Sequence, residues 1–270
     1  MFRIIHKENL AKDVTKLVIE AEAIAHKAKA GQFVAVVIDT KSERIPLTIA
    51  DWDAVKGTIT LIFQEIGYTT KKLGKLQPGD AIQHILGPLG HPTEMKKFGT
   101  VICIGGGVGI AEVYPVSRKF KEAGNRVIGI IGSRTKDLII LEKEMRQVCD
   151  ELFIATDDGS YAEKGLVTDI LKRLLGAGQQ YNLVYAIGPV RMMKAVSELT
   201  RTYRIKTVVS LNPIMVDATG MCGSCRCTVA GKTVFGCVDG PDFDAHQVDF
   251  DELEKRLKLF ADEEKKPLEK

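Results

Sequence analysis

At 270 residues the chain is longer than one average domain and shorter than three, so two compact domains of roughly 100 to 150 residues each are expected. Its 45% hydrophobic and 27% charged residues exclude a disordered or collagen-like chain. A net charge of +3, from 38 basic and 35 acidic residues, leaves a weak long-range field, so neither nucleic acid nor an anionic membrane surface is an expected partner.

The opening MFRIIHKENLAKD turns polar too early for a signal peptide. No apolar run reaches the roughly 18 to 20 residues that span a bilayer, so a cytoplasmic location with no membrane partner is expected. Val14 to Ala21, Gln32 to Ile38, Ile45 to Ala50 and Thr58 to Gln64 are short, β-branched and separated by turn residues. They predict a small antiparallel barrel over residues 1–97. QEIGYTTKKL then opens a helix at Gly67, with hydroxyls on Thr69 and Thr70, a suitable anion cradle. From Thr100, apolar strands at Val101 to Ile104, Arg126 to Ile131, Leu152 to Ala155 and Leu183 to Ile187 alternate with helical stretches. That pattern predicts a doubly wound parallel α/β domain over residues 98–212. Residues 213–270 form a third region, dense in Gly and Cys up to Gly240, then charged and helical, with the last dozen residues a solvated tail. Neither internal repeats nor low-complexity tracts occur, which removes solenoids and propellers.

Two motifs in the α/β part suit a nucleotide. In VICIGGGVGIAEVYP a buried strand runs through Gly105, Gly106 and Gly107 into a helix starting near Gly109, which lets backbone amides approach a pyrophosphate. It does not complete the GxGxxG pattern, and a tight glycine turn between strand and helix is the alternative, less favoured reading. The next strand ends in Ser133 and Arg134, where an NAD-specific domain usually carries an acidic residue, so NAD and NADP both stay open. AIGPVRMMKAV puts Gly188, Pro189 and Met192 at the carboxyl edge of a later strand, where such sheets bind ligands. In the barrel, RIPLTIAD carries Arg44, Pro46, Leu47 and Thr48, with the first, second and last on one face of a strand.

Four of the six cysteines, Cys222, Cys225, Cys227 and Cys237, fall within sixteen residues. In a cytosolic chain such a cluster indicates metal rather than disulfides. A zinc ribbon would show two CxxC knuckles and only one is present. The plant-type [2Fe-2S] spacing, Cys-x4-Cys-x2-Cys with a distant fourth, matches Cys222, Cys225 and Cys237 at its last three positions. Its first position is Asp217, an acceptable but unusual iron ligand. Cys227 is the alternative fourth ligand, since a strand could turn Cys225 and Cys227 to the same side.

Taken in this order, the barrel with RxPLT, the GGGVG domain, the GPxxM segment and the cysteine cluster resemble the ferredoxin-NADP reductase superfamily over nearly the whole chain. Two kinds of electron-transfer subunit compete: that of dihydroorotate dehydrogenase type B, and the small subunit of NADH-dependent ferredoxin:NADP oxidoreductase, also described as sulfide dehydrogenase. The first ordinarily has cysteine as its first cluster ligand and the second aspartate, so Asp217 favours the second. The resemblance implies FAD held by Arg44, Pro46, Leu47 and Thr48, with Gly67, Thr69 and Thr70 on its pyrophosphate. It implies that Gly105 to Gly109, Ser133, Arg134, Gly188, Pro189 and Met192 receive NAD(H) or NADP(H), and that GPLGHP from Gly87 closes over the flavin. It also implies a heteromeric assembly with a larger FAD and [4Fe-4S] subunit, through which electrons reach ferredoxin. Cofactor chemistry of this kind needs no catalytic side chain, and none is assigned.

Overall fold

The computed structural model describes residues Met1 to Leu259, so residues 260–270 of the expected tail lie outside the described residues. In the N-terminal part, β1 (Phe2–Ala11), β2 (Val14–Glu20), α1 (Glu22–Ala25), β3 (Phe33–Val37), β4 (Ile45–Asp53), β5 (Thr58–Gln64), α2 (Tyr68–Lys75), β6 (Ala81–Ile82) and β7 (His84–Leu89) follow in order. The strands pair in the order β6-β1-β2-β5-β4-β3-β7. Only Gln83 separates the two edge strands, so the sheet curls on itself into a nearly closed antiparallel barrel, as the sequence predicts. Alternation supplies its core. Leu17 and Ile19 of β2, Val34 and Val36 of β3, and Ile59, Leu61 and Phe63 of β5 meet Leu73 of α2 inside. Each such side chain contributes roughly 1.5–3 kcal/mol by leaving water. The GPLGHP segment runs as strand from Gly87 to Leu89 before it turns.

The second part contains β8 (Thr100–Gly106), α3 (Gly109–Glu122), β9 (Arg126–Ser133), α4 (Glu142–Val148), β10 (Glu151–Thr156), β11 (Glu163–Lys164), α5 (Val167–Gly176), β12 (Leu183–Ile187), α6 (Val190–Thr202) and β13 (Thr207–Ser210). Beyond Pro213, β14 (Arg226–Val229) and β15 (Lys232–Phe235) form a hairpin, followed by β16 (Asp242–Asp244) and α7 (Phe250–Leu257). The hairpin turns at Ala230 and Gly231, both at positive φ, as a two-residue primed turn requires. The large sheet has the order β11-β10-β9-β8-β12-β13-β16, parallel except for β16 at its edge. None of the helices among the described residues is long and apolar enough to cross a membrane.

Two compact units, which alternate along the sequence, result: 1–91 with 212–240 and 249–259, and 92–211 with 241–248. The C-terminal region expected as a third block is thus divided between them. The cysteine segment has too few apolar residues for a core of its own, and it shares one with Phe33 and Ala35 of β3. Residues 241–248 instead return to the parallel sheet, where β16 pairs with β13.

A buried carboxyl fastens that return. Asp242 Oδ2 accepts a hydrogen bond from Thr93 Oγ1 at 2.6 Å, and Oδ1 accepts one from Tyr185 OH at 2.9 Å. Burial pushes Asp242 up from 3.8 to about 6, against the pull of the hydrogen bonds from Thr93, Tyr185 and Ser210. The folded state therefore keeps a proton that the unfolded chain has already released. Between about pH 4 and about pH 6, stability is expected to fall as pH rises, by about 3 kcal/mol in total, and then to level off. Asp242→Asn should flatten that slope, which urea unfolding midpoints across the range will measure.

Candidate functional site

The strand order reverses between β8 and β12. Strands β9 and β10 are laid down on one side of β8, and β12 and β13 on the other. In open parallel sheets the crevice beyond the carboxyl ends at this reversal is where ligands bind. Gly105 and Gly106 end β8 there, Gly109 begins α3, and Gly188 and Pro189 lead from β12 into α6. Most of these glycines are dictated by self-packing. A Cβ on Gly105 would stand 2.8 Å from Val113 Cγ1, one on Gly106 2.5 Å from Met192 Sδ, and one on Gly109 2.6 Å from the Ile187 carbonyl oxygen. Gly188, at φ +153, would bring its Cβ within 3.0 Å of the Gly106 carbonyl oxygen. The structure thus joins Gly106, Gly109, Gly188, Pro189 and Met192 into one floor. Gly107 is different: its φ is +58, yet apart from Gly107 and its two chain neighbours nothing lies within 4 Å of a Cβ placed there. That open backbone, at the start of a helix, is where a pyrophosphate can approach. One strand over, Ser133 Oγ donates to the Thr135 carbonyl at 2.6 Å, while Arg134 is exposed.

In the barrel, Pro46, Leu47 and Thr48 of β4 lie opposite Ala35, Val34 and Phe33 of β3, and Arg44 immediately precedes the strand. Helix α2 shares the barrel core with this strand through Leu73 and Leu47. Gly67 caps α2, and Thr70 Oγ1 closes on it, accepting from the Gly67 amide and donating to its carbonyl, each at 3.1 Å. Thr69 Oγ1, by contrast, is buried with no hydrogen-bond partner. An unpaired buried hydroxyl costs about 1–3 kcal/mol, and at a helix N-terminus it fits an anionic oxygen of a bound cofactor.

The cysteine segment sits on β3. Cys225, Cys237 and Ala218 are buried against Phe33 and Ala35, with Leu89, Met215 and Phe235 around them. The two thiols approach to 3.3 Å, and the Cys237 amide donates to Cys225 Sγ at 3.5 Å. Asp217 Oδ2 accepts from the Cys222 amide at 2.9 Å and Oδ1 from the Thr219 amide at 2.8 Å, and these bonds, the Thr219 amide first, lower its pKa. Cys222 is exposed, and the hydrogen bond from Ser224 foremost lowers its pKa, whereas burial pushes Cys237 up to about 12. No three Cys, His, Asp or Glu side chains among the described residues converge on a single ion. A two-iron cluster needs two ligand pairs instead, and the loop offers Cys225 with Cys237 and Asp217 with Cys222. Gly220 and Gly223, both at positive φ, let the loop turn tightly between Asp217 and Cys222 and between Cys222 and Cys225. Cys227 on β14 is buried but lies outside the apolar cluster. Burial pushes it up to about 11, and Cys225, Glu252 and Asp239 add to that.

Sequence reasoning did not find Ser224, whose Oγ lies 3.1 Å from Cys222 Sγ, nor the seat at Phe33 and Ala35. Small residues beside Cys222 were the sole signal for the former. Nothing local marked the latter.

Fold and site together define an NAD(P)H-dependent oxidoreductase subunit of the ferredoxin-NADP reductase superfamily, with FAD, a [2Fe-2S] cluster and a pyridine nucleotide as cofactors. Residues 212–249 match the iron-sulfur cluster binding domain of dihydroorotate dehydrogenase B, and residues 103–198 the oxidoreductase NAD-binding domain. A Thermotoga maritima homolog of the dihydroorotate dehydrogenase B (NAD(+)) electron transfer subunit is 43% identical over 97% of this chain and 92% of its own. The electron transfer subunit of Shouchella clausii is 33% identical over 91% of this chain and 96% of its own. A chain from the structure of an NADH-dependent reduced ferredoxin-NADP oxidoreductase, described for flavin-based electron bifurcation, superimposes with a TM-score of 0.94 at 41% identity, covering 98% of this chain and 95% of that one. The chain belongs to the family of dihydroorotate dehydrogenase B electron transfer subunits and their homologues. These relatives are named as electron transfer subunits.

Two substitutions separate packing from binding. Gly107→Ala should weaken NADH binding roughly tenfold while costing only about 1–2 kcal/mol of stability from its positive φ. Gly109→Ala, driven into the Ile187 carbonyl, should destabilise by about 1–3 kcal/mol, and denaturation beside a fluorescence titration of NADH reads both. Thr69→Val should leave the flavin-free chain no less stable, because the hydroxyl has no partner to lose, yet reduce FAD affinity about tenfold by equilibrium dialysis.

Proposed function

We propose that the chain is the NAD(H)-side electron-transfer subunit of a heteromeric, electron-bifurcating ferredoxin:NADP oxidoreductase, whose larger subunit carries its own FAD and [4Fe-4S] clusters and serves NADP(H) and ferredoxin. The observation that carries this reading is Asp217, five residues before Cys222, with its carboxylate against the Cys222 amide at 2.9 Å. The resemblance gives aspartate at this position to the bifurcating reductases.

When bound, the nicotinamide and flavin exchange a hydride and the cluster accepts electrons singly, so the protein's work is alignment and tuning. In this reading the Gly107 turn and the α3 N-terminus take the nucleotide pyrophosphate, with Ser133 and Arg134 toward the adenosine end. Gly188, Pro189 and Met192 bound the rest of the crevice. Arg44, Pro46, Leu47 and Thr48 hold FAD, and Gly67, Thr69 and Thr70 bind its phosphates. Asp217, Cys222, Cys225 and Cys237 would hold the cluster. A carboxylate is a harder ligand than a thiolate and alters the potential of the iron it binds.

The second reading, the electron transfer subunit of dihydroorotate dehydrogenase B, is favoured by the match of residues 212–249 to that iron-sulfur domain. Absorption and EPR spectra of the anaerobically purified chain separate the two. Flavin bands and a dithionite-reducible [2Fe-2S] signal that changes in Asp217→Ala but not in Cys227→Ala are expected. Sensitivity to Cys227 alone would favour the second reading, and a colourless protein would overturn both.

A further inference from the structure

The loop that carries Asp217 and Cys222 turns through three residues at positive φ, Ala218, Gly220 and Gly223. Two arginines from distant segments hold its ends. Arg256 of α7 donates from Nη2 to the Ser224 carbonyl at 3.0 Å. Arg44 donates from Nη1 to the Asp217 carbonyl at 2.8 Å, across 173 positions of sequence. Arg44 is half-buried and directly precedes β4, whose Pro46, Leu47 and Thr48 fall to FAD in the reading above. A guanidinium carries five N–H donors in a rigid planar fork and keeps its charge at every working pH, so one bond to a carbonyl leaves donors and charge for a second, anionic partner.

The geometry points to Arg44 as a positioning residue shared by two cofactor sites, fixing the Asp217 carbonyl of the cluster loop while its cation serves the FAD-binding segment, so that flavin binding and cluster tuning are coupled through one side chain. This inference rests on the electron-transfer reading. A fixed positive charge beside the loop favours the reduced, more negative cluster and so raises its potential. Arg256 makes a comparable bond to the same loop from outside the flavin segment, which makes it the internal comparison.

The test is an EPR-monitored redox titration of the full-length, anaerobically purified chain, with FAD content measured in parallel, for wild type, Arg44→Gln, Arg44→Lys and Arg256→Gln. Arg44→Gln is expected to lose FAD and to lower the ratio of reduced to oxidised cluster at fixed potential about tenfold, which is 59 mV for a one-electron couple. Arg44→Lys should recover most of that potential shift but not the FAD, because a point charge does not replace the fork. Arg256→Gln should lower the potential with FAD content unchanged. A wild-type cluster signal that Arg44→Gln leaves unaltered in potential and line shape overturns the inference alone. A wild-type chain with no reducible cluster signal overturns the electron-transfer reading and this inference with it.

Discussion

The cysteine segment depends on the apolar seat that Phe33 and Ala35 give to Cys225 and Cys237. A glycine-rich loop cannot hold two thiols 3.3 Å apart by its own contacts, because each glycine adds backbone entropy and no packing. Strand β3 supplies the missing wall. The same strand pairs with β4 on one side and β7 on the other, so Phe33 lies opposite both Thr48 and Leu89. A one-residue slip in that register would turn Phe33 and Ala35 away from the cysteines and would displace RxPLT at the same time. The seat of Cys225 and Cys237 and the RxPLT segment are therefore set by one ladder.

The nucleotide unit meets its constraint differently. Its glycines at 105, 106, 109 and 188 let two strand-to-helix turns pack against each other, and that packing leaves Gly107 with open space above its backbone. The open approach to the Gly107 backbone follows from close packing beneath it. At the far edge of the same sheet, Asp242 shows that a polar anchor can close a fold when each of its oxygens has a donor.

Much of this was legible in the sequence wherever local pattern and tertiary role agree. The strands at Thr58–Gln64 and Leu183–Ile187 have the bounds that their apolar, β-branched runs indicate. The [2Fe-2S] spacing and the helix starts at Gly67 and Gly109 were equally open to reading. Strand β1 was not, since of its ten residues Ile4 alone is fully buried and the rest alternates weakly. The return of residues 241–248 to the parallel sheet was hidden because its anchor is a buried aspartate in a polar stretch. Nor does any local pattern connect Arg44 with Asp217, or mark the Thr69 hydroxyl as unpartnered. Such contacts exist only once the chain has folded.

In the proposed function one chain receives reducing equivalents from a pyridine nucleotide and passes them to its own iron-sulfur cluster. The most direct measurement is an anaerobic titration of the isolated chain with NADH, following flavin absorbance and the [2Fe-2S] EPR signal together. Flavin bleaching and the cluster signal are expected to grow in the same titration. A flavin that bleaches fully while the cluster stays oxidised, under a poise at which dithionite reduces it, would contradict the proposed function.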